Sequence, residues 1–284
     1  MTLRPYLTLC ADDYGLAPGV GAAIRELIHA GCLTATSCMV GSPYWPAEAA
    51  LLRPLADQAD IGLHITLSDH KPMAEMPILA PTGHFPSAGR FFNLAVTRRL
   101  NKDEITIEIE HQLYAFIAEM GRLPDFLDGH HHVHQLPTVR KAVLDIWRRR
   151  LSEKGSWIRT CCEPIAALTR RGIAVPKAAI LGKIGAPLKR SMIAGAVPHN
   201  ASFLGVYSLG RERNFAPLFK RFLNDVRPRT LFMCHPGMVD DALRAADSLT
   251  DQRLQEYRFM ASPEFKAVLE AKGLALVRLS QSPV

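Results

Sequence analysis

Four short stretches of this 284-residue chain gather side chains that can hold a metal ion or move a proton. Asp12 and Asp13 follow the apolar run YLTLCA, and His64 sits in GLHITL. Asp128 opens DGHHHVH, which carries His130, His131, His132 and His134, and His235 stands in CHPG. Of the 11 histidines, six fall in the last three stretches. One carboxylate and two imidazoles from different strands can hold a divalent ion with open positions. Water in such a position loses a proton near neutral pH. A second carboxylate can then serve as general base and a free histidine as general acid. That inventory fits metal-assisted hydrolysis of an amide, an ester or a phosphate. The chain has no G-x-S-x-G elbow, which argues against a serine hydrolase. It also lacks a Walker A loop and an H-E-x-x-H helix.

Each stretch alone has a plainer explanation. Asp12-Asp13 could cap a helix. His64 could be a satisfied core histidine, and Pro236-Gly237 after His235 could be a simple turn. The DGHHHVH stretch resists such an explanation. With strand period 2, Asp128, His130, His132 and His134 share one face, and His131 and Val133 share the other. Four titratable groups on one face cannot fill an apolar core without partners.

These residues need a scaffold that brings strand ends together. Strand candidates are Tyr6–Ala11, Thr34–Val40, Ile61–Leu67, Phe126–His134, Trp157–Cys161, Phe203–Tyr207, Thr230–Cys234 and Ala275–Leu279. Helical patterns lie between most of them, at Pro18–Ala30, Pro46–Ala56, Lys102–Met120, Pro137–Glu153, Pro217–Asp225, Thr250–Met260 and Pro263–Lys272. Alternation of this kind predicts parallel βα units. About eight strands suit a distorted or incomplete (β/α) barrel, in which every polar stretch named above lies at the C-terminal end of a strand. An open doubly wound sheet is the alternative, but no G-x-G-x-x-G follows the first strand.

No linker divides the chain, so a single domain over residues 1–284 is expected, with insertions at about 68–100 and 164–202. Both insertions follow a strand end, where a barrel builds its active-site mouth. Ser68–Leu100 is rich in Pro and Gly. Pro164–Ser202 belongs to a stretch without acid between Glu163 and Glu212, which carries Arg170, Arg171, Lys177, Lys183, Lys189, Arg190 and Arg211. Those basic residues equal the whole net charge of +7. The plain reading is a solvated, partly disordered loop. The functional reading is that it presents its charge at the mouth to an anionic substrate or an anionic membrane. Nucleic acid is not expected, because the basic residues alternate with Ala, Gly and Ile and few aromatics accompany them.

Apolar residues make up 48% and charged residues 21%, which excludes a disordered chain, a collagen-like repeat and a coiled coil. No run approaches a membrane span, and the N-terminus has no secretory pattern, so a cytoplasmic protein is expected. Six cysteines without a C-x-x-C pair read as buried, reduced thiols.

Taken together, ADDYG, GLHITL, DGHHHVH and CHPG resemble the YdjC-like carbohydrate deacetylase family, and TATSCMVG at 34–41 also resembles its second strand. That family includes chitooligosaccharide (diacetylchitobiose) deacetylases and a hopanoid-biosynthesis-associated branch. The resemblance implies a distorted barrel and metal-dependent removal of acetyl from an acetamido sugar, with an activated water as nucleophile. It implies Asp13, His64 and His130 as metal ligands, Asp12 as base and His235 as the acid that protonates the leaving amine. Asp128, His132 and His134 would support the ligands or reach the substrate. One divalent ion is implied, zinc or magnesium first. A lipid-linked or hopanoid-pathway sugar, or a metal-dependent phosphoesterase or amidohydrolase reaction on the same site, remains an alternative. The oligomeric state, a homo-oligomer included, is left open.

Overall fold

The alternation of apolar strands with helices does build parallel βα units. The computed structural model describes residues 5–208 and 214–282; Arg211 and Glu212, at the end of the acid-free stretch, lie outside them. Strands β1 (Tyr6–Tyr14), β2 (Ala35–Cys38), β3 (Asp60–Ile65), β4 (Phe126–Gly129), β5 (Trp157–Ile158), β6 (Ser202–Leu204) and β7 (Thr230–Cys234) form one parallel sheet in the order 5-4-3-2-1-7-6. Every residue of these seven strands is buried, which is why they read as almost continuous apolar runs.

The sheet curls into a barrel whose ends barely meet. Between β5 and the chain before β6 there is one bridge, Ile158 with His199. Beyond it the Asn200 side chain takes over from backbone. Its Oδ1 accepts from Thr160 N and its Nδ2 donates to Thr160 O, both at 2.8 Å. An amide replacing a strand rung leaves the seam closed but irregular, and the barrel is accordingly distorted.

The eighth expected strand has a different place. β8 (Ala275–Leu276) pairs only with Tyr6 and Leu7 at the start of β1, below the barrel rather than within its circuit. The chain after it is held by Asp60, which accepts from Arg278 Nε at 2.9 Å and Ser280 N at 2.9 Å. Gly62, in the third motif strand, has a steric reason. A Cβ there would lie 2.4 Å from the ring of Phe126, which stacks on Trp157 at 3.9 Å between centroids.

The fourth strand is shorter than its sequence pattern suggests. It ends at Gly129, and His130–Gln135 turns sharply. His131 and His132 both take the left-handed conformation, at φ 51° and 58°. Two successive non-glycine residues there carry backbone strain of the kind found at functional sites.

Both insertions carry regular structure of their own. The first is pinned by buried glutamates of the helix Lys102–Met120. Glu108 accepts from the backbone N–H of Met73 and Ala74, and Glu104 from those of Ile78 and Leu79, at 2.8–3.1 Å. The insertion then forms a helix at Ala88–Val96. The second insertion forms two helices, Ile165–Arg171 and Val175–Ala194, rather than the solvated loop of the plainer sequence reading.

Candidate active site

The strand ends converge on a cleft of about 700 Å³ whose lining includes Asp12, Asp13, His64, His130, His132 and His235. A second cavity of about 360 Å³ adjoins it and shares Leu16, Asp69, His70 and Ala246 with it.

Adjacent residues of a regular strand point to opposite faces, yet Asp12 and Asp13 both reach this cleft. The register of β1 against β2 shifts between Ala11 and Tyr14, and Asp13 sits at φ 67°. A bulge of this kind re-aims a side chain. The strand does not end at the two acids, as the sequence reading supposed, but bends through them.

Asp13, His64 and His130 form one group, each offering an atom within 4.8 Å of the others. His64 is 2% exposed. Its Nδ1 lies 2.8 Å from Asp128 Oδ1, and since a carboxylate only accepts, Nδ1 carries the proton. Nε2 then faces Asp13 Oδ1 at 3.3 Å, and His130 Nδ1 stands 3.0 Å from the same oxygen. The three groups thus crowd around one point and could hold a metal ion there. With protons alone in that role, burial pulls the pKa of His64 down, but Asp128, Asp13 and Asp12 outweigh it and raise it to about 10. A divalent ion fits the same donor set. Asp13 Oδ2 is taken by Arg253 Nη2 at 2.6 Å, and Arg253 Nε donates to Asp247 at 2.7 Å. Asp13 thus turns one oxygen toward the histidines and the other toward a fixed guanidinium.

Asp12 belongs to a different network. Arg159 is fully buried and donates from Nη1 and Nη2 to the two oxygens of Asp12, at 2.7 and 2.6 Å. The same guanidinium pairs with Asp128 Oδ2 at 2.6 Å. Burial would raise the pKa of Asp12, but the charge and hydrogen bonds of Arg159 win and hold it well below the usual carboxylate range. Cys10, Asp12 and Asp128 also converge closely enough to suggest a metal. Arg159 already supplies the positive charge there, with Nη2 3.0 Å from Cys10 Sγ.

His235 lines the cleft from the chain just after β7. Burial lowers its pKa, against the opposing pull of Asp13 and Asp12, and its buried Nδ1 has no hydrogen-bond partner among the described residues. Its backbone N–H donates to Glu256 Oε2 at 2.5 Å, and the Tyr207 hydroxyl donates to Glu256 Oε1. Burial pushes the Glu256 carboxyl up to about 7 despite these bonds. Gly205, at φ 98°, lets this wall approach β7, because a Cβ would lie 2.1 Å from the Met233 carbonyl oxygen.

The expected common face of Asp128, His130, His132 and His134 is not formed. Since the strand ends at Gly129, His131 turns into the cleft, bonding Ser68 Oγ at 3.0 Å. His132 packs edge-on to Phe203 with Nδ1 3.5 Å from Cys161 Sγ. His134 is fully buried outside the cleft lining, its Nε2 3.1 Å from the Arg159 carbonyl. Asp128 lies beneath the cleft, joining His64 to Arg159.

The basic insertion meets the cleft at one point, Lys177, whose Nζ donates to the Tyr207 carbonyl at 3.1 Å. Arg171 is instead paired with Glu163, and Lys189 donates to the Ala201 carbonyl at 2.9 Å. Arg170, Lys183 and Arg190 are exposed on its surface.

Sequence reasoning missed Arg159, Arg253 and Glu256. An arginine in the apolar strand run WIRTCC was a signal, since a buried cation requires buried anions. Arg253 and Glu256, three apart on one helix, gave no comparable sign.

A parallel, distorted (β/α) barrel with carboxylates and imidazoles gathered at its C-terminal mouth defines a class of barrel proteins with a hydrolase-like site. Within it, residues 6–271 match the model of the family described as YdjC-like protein, and the chain belongs to that family. The chitooligosaccharide deacetylase of Escherichia fergusonii is 27% identical over 275 residues, 95% of this chain and 96% of its own length. That of Salmonella heidelberg is 29% identical over 279 residues, 94% and 95% of the two chains. A crystal structure from Enterococcus faecalis V583, provisionally named a cellobiose-phosphate cleavage protein, shares the fold. Its TM-score is 0.73 at 22% identity, covering 99% of this chain and all of its own.

Proposed function

We propose that the protein is a carbohydrate N-deacetylase that removes acetyl from an acetamido sugar with the help of one divalent ion. The observation that carries this reading is the meeting of His64 Nε2, His130 Nδ1 and Asp13 Oδ1 at the cleft, with His64 Nδ1 already committed to Asp128. The full-length likeness to chitooligosaccharide deacetylases supports the choice of bond.

Asp13, His64 and His130 would hold the ion, which when bound supplies a Lewis acid for the amide carbonyl and a water of lowered pKa. Zinc suits this donor set by ligand type, and magnesium would need a shell richer in water. Asp12, ionised beside Arg159 and lining the cleft, takes the part of the base that accepts a proton from the attacking water. His235 delivers a proton to the departing nitrogen. Asp128 fixes the tautomer of His64, and Arg253 fixes the orientation of Asp13. The cavity beside the cleft gives room for a further sugar ring, which favours an oligosaccharide or glycoconjugate over a free monosaccharide.

The test is release of acetate from N-acetylglucosamine oligomers by protein supplied in turn with zinc, cobalt, manganese or magnesium. Acetate and one free amine per turnover are expected. Absence of acetate with every metal and every oligomer would refute the reading.

A further inference from the structure

The two insertions share a surface property that catalysis does not use. Among the described residues, ten large apolar side chains are exposed, and seven of them lie in these two stretches, about a quarter of the chain. The first insertion exposes Met73, Ile78, Phe92 and Val96, and the second exposes Ile165, Ile180 and Ile193. Single exposed apolar residues are ordinary, but a concentration in one region is not. Phe92 and Val96 are one turn apart on the outer side of the helix Ala88–Val96, whose Phe91 and Ala95 face inward. Ile180 and Lys183 lie one turn apart on the helix Val175–Ala194.

Much of the same two stretches is free of acid, the exposed Asp69 and Glu75 of the first insertion standing before its acid-free part. Residues 76–101 contain no Asp or Glu and carry Arg90, Arg98 and Arg99, all exposed. Residues 164–208 contain none either, and expose Lys183 and Arg190. Arg140 lies between the two groups: besides its burial, the charges of Arg190 and Arg98 both lower its pKa. The insertions also meet at the cleft, which Ala88 and Gly89 of the first and Lys177 of the second help to line.

We propose that this mouth face docks on an anionic phospholipid membrane, with Phe92, Val96 and Ile180 entering the headgroup region and Arg90, Arg98, Lys183 and Arg190 meeting lipid charge. Apolar side chains interleaved with basic ones at a surface are the composition of an interfacial anchor. A soluble polyanion would match the charge but would leave the exposed Phe and Ile without a partner.

Cosedimentation tests this with vesicles of phosphatidylcholine alone and of phosphatidylcholine with one third phosphatidylglycerol. The full chain should pellet with the anionic vesicles at low salt, and much less at high salt or with neutral vesicles. Combined Arg98→Ser, Lys183→Ser and Arg190→Ser should weaken binding about a hundredfold, about fivefold per residue. Combined Phe92→Ser, Val96→Ser and Ile180→Ser should weaken it about tenfold or more while leaving retention on heparin unchanged. These side chains are exposed, and circular dichroism melts identical to wild type establish that both variants fold. Wild-type protein that stays in the supernatant with anionic vesicles at low salt overturns the proposal. So does an apolar variant that binds those vesicles like wild type, since the face would then recognise soluble polyanions instead.

Discussion

Replacement of Arg159 by Met tests the network on which the whole floor of the cleft rests. The guanidinium is fully buried and serves two buried carboxylates, Asp12 through two hydrogen bonds and Asp128 through an ion pair. Removing one partner of a buried ion network costs about 3–5 kcal/mol, because the remaining charges lose their compensation. A domain of ordinary stability, about 5–15 kcal/mol, survives such a loss in weakened form. The sign with pH is the sharper test. In the wild type Asp12 has a folded pKa depressed by Arg159. Its contribution is complete above the unfolded value of about 3.9 and fades only as pH falls below that. In the variant burial remains and the cation is gone, so the folded pKa of Asp12 rises above 3.9. The variant must therefore lose stability as pH rises, and the deficit relative to wild type should be larger at pH 8 than at pH 5. Urea denaturation at both values measures it. Adding Asp12→Asn should recover part of the loss, revealing the coupling directly. A deficit below about 1 kcal/mol at pH 8, or one that grows toward acid, would refute the reasoning.

Other consequences follow from the same geometry. Asp12→Asn should retain metal yet lower turnover by about 10²–10⁴, read from acetate release together with metal analysis. Glu256 has a folded pKa near 7, above its unfolded value, so its neutral form stabilises the fold at low pH and that contribution is lost as pH rises toward 7. Glu256→Gln should flatten this decline and make the protein more stable than wild type at pH 8, measured by thermal melts across pH. The opposite sign holds for His134, whose pKa burial lowers to about 4, so stability should fall as pH drops from about 6.5 toward 4. Glu108→Ala frees the backbone N–H groups of Met73 and Ala74, and faster hydrogen exchange should appear at residues 73–74 while the barrel strands stay protected.

Much of this architecture was legible because its signals are local. Tyr6–Ala11 and Thr230–Cys234 are apolar runs bounded by polar residues, and burial on both faces of a parallel strand writes that pattern directly. The four motif stretches lie at strand ends, so the barrel sufficed to bring Asp13, His64 and His130 together. What escaped depends on backbone irregularity or on distant partners. The bulge that turns Asp12 and Asp13 into one cleft is a register shift between strands, with no signature of its own in ADDYG. The left-handed His131 and His132 break the period-2 pattern that DGHHHVH suggested, because the chain leaves the strand at Gly129 and turns there. Arg159 reaches Asp12 and Arg253 reaches Asp13 across 147 and 240 residues of chain, a distance over which sequence spacing carries no information.

The most direct test of the central claim is metal content beside turnover in four proteins: wild type, His64→Ala, His130→Ala and His235→Ala. The geometry at Asp13 predicts close to one divalent ion per chain in wild type and in His235→Ala. It predicts little metal and little acetate release in His64→Ala and His130→Ala, with the fold retained by circular dichroism. His235→Ala should be metal-loaded and slow. A His64→Ala or His130→Ala protein that binds metal at full stoichiometry and releases acetate at the wild-type rate would contradict the account.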